Sequence, residues 1–213
     1  MKYRHWFWDF DGTLFNTYPR ICRALQKSLA DAGIFEETSV IMPYLKQSLE
    51  TAARHFGDEK GVGTDILLEG YHRHSEEEGP STIRPFPGAR DFLCDVISSG
   101  GKNYLYTHRG ESVFKALERE RFSELFCDMV TSLDGFPSKP APDALLFLMN
   151  KHSLDPDECV MVGDRLIDLG SGINAGMHAI CVDPDGFCPP QEGIPLVHDY
   201  AALSKMLRES LKE

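Results

Sequence analysis

The sequence predicts an α/β fold: a parallel sheet crossed by helices, with an all-helical segment entered directly after the first strand. Three observations predict it. From about residue 89 onward, short apolar runs alternate with runs of helical period, the pattern of strand–helix–strand units with right-handed crossovers. Residues 18–84 show helical periodicity alone. The apolar run Trp6–Trp8 stops abruptly in Asp9-Phe10-Asp11-Gly12-Thr13, as a buried strand does at a glycine turn.

The elements follow in order. After the first strand, 18–33 reads as a helix with Ile21, Leu25, Leu29 and Ala32 on one face, and Gly33 as its stop. Residues 36–56 carry Ile41, Leu45, Leu49 and Ala53 at helical spacing, with Thr38 or Ser39 as a cap. Pro43 predicts a break there, because it removes a backbone donor and crowds the preceding turn. Residues 57–63 read as a turn region. Residues 64–78 read as a helix capped by Thr64 or Asp65 and ended by Gly79-Pro80. The run Arg84-Pro85-Phe86-Pro87-Gly88 marks the return to the sheet. Helices are then expected over 89–98, 111–121, 142–152, 165–175 and 200–211. Strands are expected over 103–107, 126–131, 158–162 and 178–182. Pro142 suits the first turn of its helix.

With 213 residues the chain can build one full core, or a core with a smaller appendage. The net charge of -11 argues against a nucleic-acid surface, though a local cation can still admit an anionic substrate. The six cysteines, Cys22, Cys94, Cys127, Cys159, Cys181 and Cys188, lie mostly in apolar stretches with no Cys-x-x-Cys pair. They read as buried thiols in a reducing compartment. No run approaches the roughly 20 apolar residues of a membrane helix, so a cytoplasmic location is the expectation. No nucleic-acid or membrane partner is expected, and the chain is expected to be a monomer or homodimer.

Polar groups gather where apolar runs end. Asp9 and Asp11 alternate around one residue and can face one crevice; so close, their charges conflict unless a cation or a division of roles resolves it. Asp-x-Asp-Gly-Thr is equally good turn chemistry. Tyr104-Leu105-Tyr106 leads into Thr107-His108-Arg109-Gly110 just before a helix, where a hydroxyl and open N–H groups can hold an anion, or Thr107 can serve as an N-cap. Lys139 sits in the proline-stiffened run Ser138-Lys139-Pro140-Ala141-Pro142; such a lysine is either solvated charge or a group held toward a phosphate. Val160-Met161-Val162 ends in Gly163-Asp164, and Asp168 follows four residues later. Two acids with small glycines at a strand-to-helix turn suit a hard cation, and either acid could instead cap the helix.

Together these residues resemble the haloacid dehalogenase-like hydrolases. The matching residues are Asp9-Phe10-Asp11-Gly12-Thr13, Thr107, Lys139 and Gly163-Asp164-Arg165-x-x-Asp168, in the family's order along nearly the whole chain. The resemblance implies a Rossmann-like core over 1–17 and 85–213 and a helical cap over 18–84, as in phosphoglycolate phosphatases and β-phosphoglucomutases. It implies a Mg2+-dependent phosphatase acting on a small phosphorylated metabolite, a phosphomonoester of the phosphoglycolate or sugar phosphate type, through an aspartyl-phosphate. Asp9 would be the nucleophile and Asp11 the acid/base. Asp9, Asp164 and the Asp11 backbone carbonyl would hold the metal. Asp168 would ligate through water or orient Lys139. Thr107, His108 and Lys139 would bind substrate, with Lys139 neutralising charge. Dehalogenases of this superfamily lack an acid where Asp11 stands, which favours phosphoryl transfer.

Two departures from the family pattern stand out: Asn16-Thr17 in place of Asp-Ser, and His108-Arg109 in place of Asn-Lys or Asn-Arg. The cap lacks the glycine of the relatives' specificity loop at 41–45. Tyr44, Lys46 and Arg54 either reach a polar substrate tail or form a solvated face. Residues 15–19 and 84–88 are the expected hinges. A sugar phosphomutase is the enzymatic alternative, and a non-catalytic binding module is the other.

Overall fold

The computed structural model describes residues 2–79 and 83–211. The chain divides into two compact units, Met1–Phe15 with Pro85–Glu213, and Asn16–Arg84.

The first unit is built on a six-stranded sheet. Its strands are β1 (His5–Trp8), β4 (Lys102–Tyr106), β5 (Phe126–Val130), β6 (Cys159–Gly163), β7 (His178–Val182) and β8 (Leu196–Val197), in the order β5-β4-β1-β6-β7-β8. Every pairing is parallel. The helices of this unit are α5 (Ala89–Ser98), α6 (Ser112–Arg119), α7 (Asp143–His152), α8 (Leu166–Asn174) and α9 (Tyr200–Ser210). Both faces of a parallel sheet are covered, so its strands are largely apolar rather than alternating. β1 shows why the tryptophans are there. Phe7 lies in register with Tyr104 and Met161 and stacks on the Tyr104 ring, in the cluster that includes Leu145 and Leu148 of α7. Trp6 and Trp8 point the other way and meet Phe92 of α5 edge-on. Tyr200 of α9 stacks on Trp8. Each such ring taken fully from water contributes about 1.5–3 kcal/mol. The Trp8 indole N–H is satisfied by the buried Asn103 amide, which in turn donates to the Leu93 and Leu125 carbonyls.

The topology locates the crevice. From β1 the chain steps to β4 and β5 on one side of the sheet; β6 then leads to β7 and β8 on the other. The direction reverses between β1 and β6, and beyond the carboxyl ends of two such strands a parallel sheet leaves its ligand crevice.

The second unit contains α1 (Tyr18–Asp31), α2 (Thr38–Leu45), α3 (Leu49–Lys60) and α4 (Thr64–Glu78) around a core that includes Leu25, Leu29, Ile41, Phe56 and Leu67. The short strands β2 (Phe15–Asn16) and β3 (Arg84–Pro85) form a separate two-stranded sheet where the chain passes between the units.

Several local expectations are corrected. Pro43 does not break its helix: α2 runs through it to Leu45, forfeiting one backbone donor. The break comes later, where the Ser48 hydroxyl accepts the Thr51 N–H and starts α3. Residues 57–60 continue α3, and the turn shrinks to residues 61–63, with Gly61 in the left-handed conformation at φ 68°. Thr38 and Ser39 lie inside α2, and Gly63 rather than Thr64 or Asp65 precedes α4, with no side-chain cap at either start. Gly79 ends α4, while Pro80 lies outside the described residues. The short strands β2, β3 and β8 have two residues each, too little pattern for the sequence to predict them. Of the cysteines, all free, Cys127 is exposed and Cys94 half-buried, against the expectation of uniformly buried thiols. Among the described residues no helix is long and apolar enough to cross a membrane.

Candidate active site

β1 and β6 end side by side, and the acids follow at once. The Asp9 N–H donates to the Val162 carbonyl at 2.9 Å, which continues the sheet pairing one residue past β1. Gly12 then adopts φ 78°, a conformation that costs a side-chain-bearing residue dearly. The turn is pinned from both sides: the Thr13 hydroxyl donates to Asp164 Oδ1 at 3.1 Å, and the Tyr200 hydroxyl donates to the Thr13 carbonyl at 2.9 Å.

Asp9, Asp164 and Asp168 are all essentially sealed from solvent, and each offers an oxygen within 4.8 Å of the others. Lys139, from the loop between β5 and α7, answers two of them. Its ammonium donates to Asp9 Oδ1 at 2.6 Å, Asp168 Oδ1 at 2.8 Å and the Tyr106 carbonyl at 2.9 Å. The side chain is completely buried. Asp168 Oδ2 accepts the Arg165 N–H at 3.1 Å, so this acid caps α8 and holds Lys139 at once. Gly163 makes that approach possible, since a Cβ on it would lie 2.2 Å from the Asp168 Cβ.

The electrostatics divide the acids. Burial and the neighbouring Asp168 charge raise the Asp9 pKa to about 7; Lys139 and Arg165 oppose this, and Asp164 adds to it. Burial also works to raise the Asp168 pKa, but Lys139 and Arg165 outweigh it, so the net shift is downward. Burial works to lower the Lys139 pKa, and the charges of Asp168 and Asp9 overcome it. Asp9 Oδ2 is buried and has no hydrogen-bond partner. An orphaned carboxylate oxygen in an all-oxygen set of three acids fits a hard divalent cation.

Asp11 lies near the surface. Arg109 Nε reaches both of its oxygens at 2.8 Å, and a terminal nitrogen reaches Oδ1 at 2.7 Å. The Arg109 N–H donates to the buried Thr107 hydroxyl at 3.1 Å. Thr107 is therefore not a helix cap: α6 begins only at Ser112. His108 retains solvent exposure, and its Nε2 accepts the Lys139 backbone N–H at 2.9 Å. In the helical unit, Lys46 is buried with its ammonium 4.0 Å from the Tyr18 ring centroid, contrary to a solvated reading. Arg54 pairs with Glu50 on an exposed face, and Tyr44 stacks on His55.

The structure thus groups Asp9, Lys139, Asp164 and Asp168 directly, and joins Asp11 to Thr107 through Arg109. Arg109, Thr13, Tyr200 and Gly163 carry site contacts to which the sequence assigns no role. Thr13 and Gly163 lie within the motifs themselves, whereas nothing local to Arg109 or Tyr200 signals their partners.

This fold and site define a class. The family model for haloacid dehalogenase-like hydrolases matches residues 7–182, and the chain belongs to that family. It falls in the phosphatase branch, among the phosphoric monoester hydrolases. The chain is 29% identical to a phosphoglycolate phosphatase of Nitrosospira multiformis, covering 84% of this chain and 82% of that protein. It is 30% identical to hexitol phosphatase A of Escherichia coli, covering 92% and 91%. A family hydrolase from Deinococcus radiodurans, solved with bound phosphate and sodium, shares the fold with a TM-score of 0.81 at 19% identity, covering 98% and 96%.

Proposed function

We propose that the chain hydrolyses a small phosphomonoester, of the phosphoglycolate or sugar phosphate type, with Mg2+ and through an aspartyl-phosphate on Asp9. The observation that carries this reading is the buried, unpartnered Asp9 Oδ2 beside Asp164 and Asp168. Asp9, Asp164 and the Asp11 backbone carbonyl would hold Mg2+, with Asp168 behind them. Bound there, the ion would offset repulsion between carboxylate and phosphate.

The chain's own residues do the rest. An Asp9 carboxylate oxygen attacks phosphorus, and the bond from phosphorus to the ester oxygen breaks. Asp11 gives that oxygen its proton, then takes one from the water that cleaves the acyl phosphate. For this the Asp11–Arg109 ion pair must open. Lys139 holds Asp9 in place and balances the transferred charge. Thr107 and the backbone N–H of His108 line the phosphate side. Residues 18–84 act as a cap that selects the substrate, with 15–19 and 84–88 as hinges.

The test is a panel of phosphomonoesters, including phosphoglycolate, hexitol phosphates and p-nitrophenyl phosphate, with and without Mg2+. Released phosphate that disappears in Asp9→Asn and in EDTA supports the proposal. Turnover retained by Asp9→Asn rejects the nucleophile. An isomerised sugar phosphate in place of free phosphate makes the enzyme a mutase.

A further inference from the structure

The segment that carries Lys139 has neither helix nor strand between residues 135 and 142. Pro137, Pro140 and Pro142 have no N–H to give. Among the described residues the loop is held by few hydrogen bonds, one of them internal, from the Ala141 N–H to the Ser138 carbonyl at 3.1 Å. Tyr106 donates its hydroxyl to the Pro137 carbonyl at 3.3 Å, Asn174 donates to the Pro140 carbonyl at 2.9 Å, and the Lys139 N–H donates to His108 Nε2. Only the last lies on the residue whose ammonium bridges the acids.

We propose that His108 is the positioning residue for Lys139: its unprotonated Nε2 accepts the Lys139 backbone N–H and fixes the root of the side chain that spans Asp9 and Asp168. The ammonium uses all three donors on three fixed acceptors, so a displaced backbone cannot be absorbed by another rotamer. The acceptor role also fixes the ring's chemistry. A proton on Nε2 would face an N–H, so the ring stays neutral and its proton sits on Nδ1. The electrostatics agree. Partial desolvation of this otherwise exposed ring, with the Lys139 and Arg165 charges behind it, pushes the His108 pKa down to about 4, against the weaker pull of Asp168 and Asp11. The Tyr106 ring stands edge-on to the imidazole, with centroids 6.0 Å apart.

The geometry yields a sharp test, because a glutamine side-chain oxygen reaches as far as Nε2 and an asparagine oxygen only as far as Nδ1. Under this assignment His108→Gln keeps the bond, while His108→Asn and His108→Ala lose it. Lys139 amide hydrogen exchange should be slow in the wild type and in His108→Gln, and at least tenfold faster in the other two. In the wild-type protein, nitrogen NMR of the ring should show a protonated Nδ1 and a bare Nε2. The kinetic part rests on the proposed phosphatase reading. With p-nitrophenyl phosphate, kcat should fall roughly 10- to 100-fold in His108→Asn and His108→Ala, with KM moving less than about twofold. Unfolding midpoints identify any variant that has merely failed to fold. Equal activity and equal exchange in the asparagine and glutamine variants would overturn the assignment, as would a ring protonated on Nε2. If the wild type turns over no phosphomonoester, the phosphatase reading fails, and the exchange and ring signals still decide the role of His108.

Discussion

Lys139 is a cation sealed from solvent between two carboxylates, and each fact depends on the other. Removing a buried counter-ion leaves the partner charges uncompensated, at a cost of about 3–5 kcal/mol. Lys139→Met should therefore lower the stability of the metal-free protein by that order, measured by denaturant unfolding, and abolish turnover. Lys139→Arg should not rescue activity. A planar guanidinium cannot reproduce three bonds from one nitrogen in a space with no exposed surface. Asp9→Asn should act differently. It removes one acid from a cluster where acids crowd each other, so the fold should survive while turnover vanishes; circular dichroism and phosphate release together check this.

At the scale of elements, the junction between β6 and α8 carries the tightest packing in the site. Gly163 faces the Asp168 side chain, and a methyl there would sit 2.2 Å from its Cβ. Gly163→Ala must push α8 away from β6, which separates Asp168 from Lys139 and Asp164 from Thr13. The expected result is a loss of a few kcal/mol of stability, the scale of core overpacking, together with at least a hundredfold loss of turnover. Normal activity in that variant would show that the turn relaxes without moving the acids. In the helical unit, Ser48 starts α3 with a side-chain cap. Ser48→Ala should cost about 1 kcal/mol in the unfolding free energy.

At the scale of the whole molecule, the buried acids shape the pH dependence of stability. The Asp9 pKa lies above its unfolded value near 3.8, at about 7. Its contribution is thus fully present below about pH 4 and lost as pH rises toward 7. His5 and His108, both with lowered pKa values, act in the opposite sense over much of that window. Asp168, lowered, changes stability only below the usual carboxylate range. The clean comparison is therefore against Asp9→Asn. In metal-free protein the variant's advantage in unfolding temperature should grow from pH 4 to pH 7, and Mg2+ should erase it by stabilising the wild type alone. A difference that stays flat with pH would show that Asp9 titrates normally.

The reach of the sequence can be judged from particular residues. Asp9 and Asp164 were legible because each follows an apolar strand, and strand ends in a parallel sheet share one side by construction; Asp168 was legible from its spacing four residues after Asp164. The alternation of strands and helices was legible for the same reason: hydrophobic period is a local property. Contacts between distant residues were not. Arg109 meets Asp11 across 98 positions, Thr13 meets Asp164 across 151, and Tyr200 meets Thr13 across 187. Neither member of any of these pairs carries a mark of the other. Pro43 misled because a proline late in a short helix forfeits only one bond, which packing of Ile41, Met42 and Leu45 outweighs.

By itself, then, the chain determined its class of fold, the order of its motifs and the acids that end its strands, since these depend on neighbours a few residues away. The tertiary structure alone decided which cation answers which acid, which oxygen is left unpartnered and which ring anchors Lys139. Those are matters of angle and distance between segments that meet only when the sheet has formed.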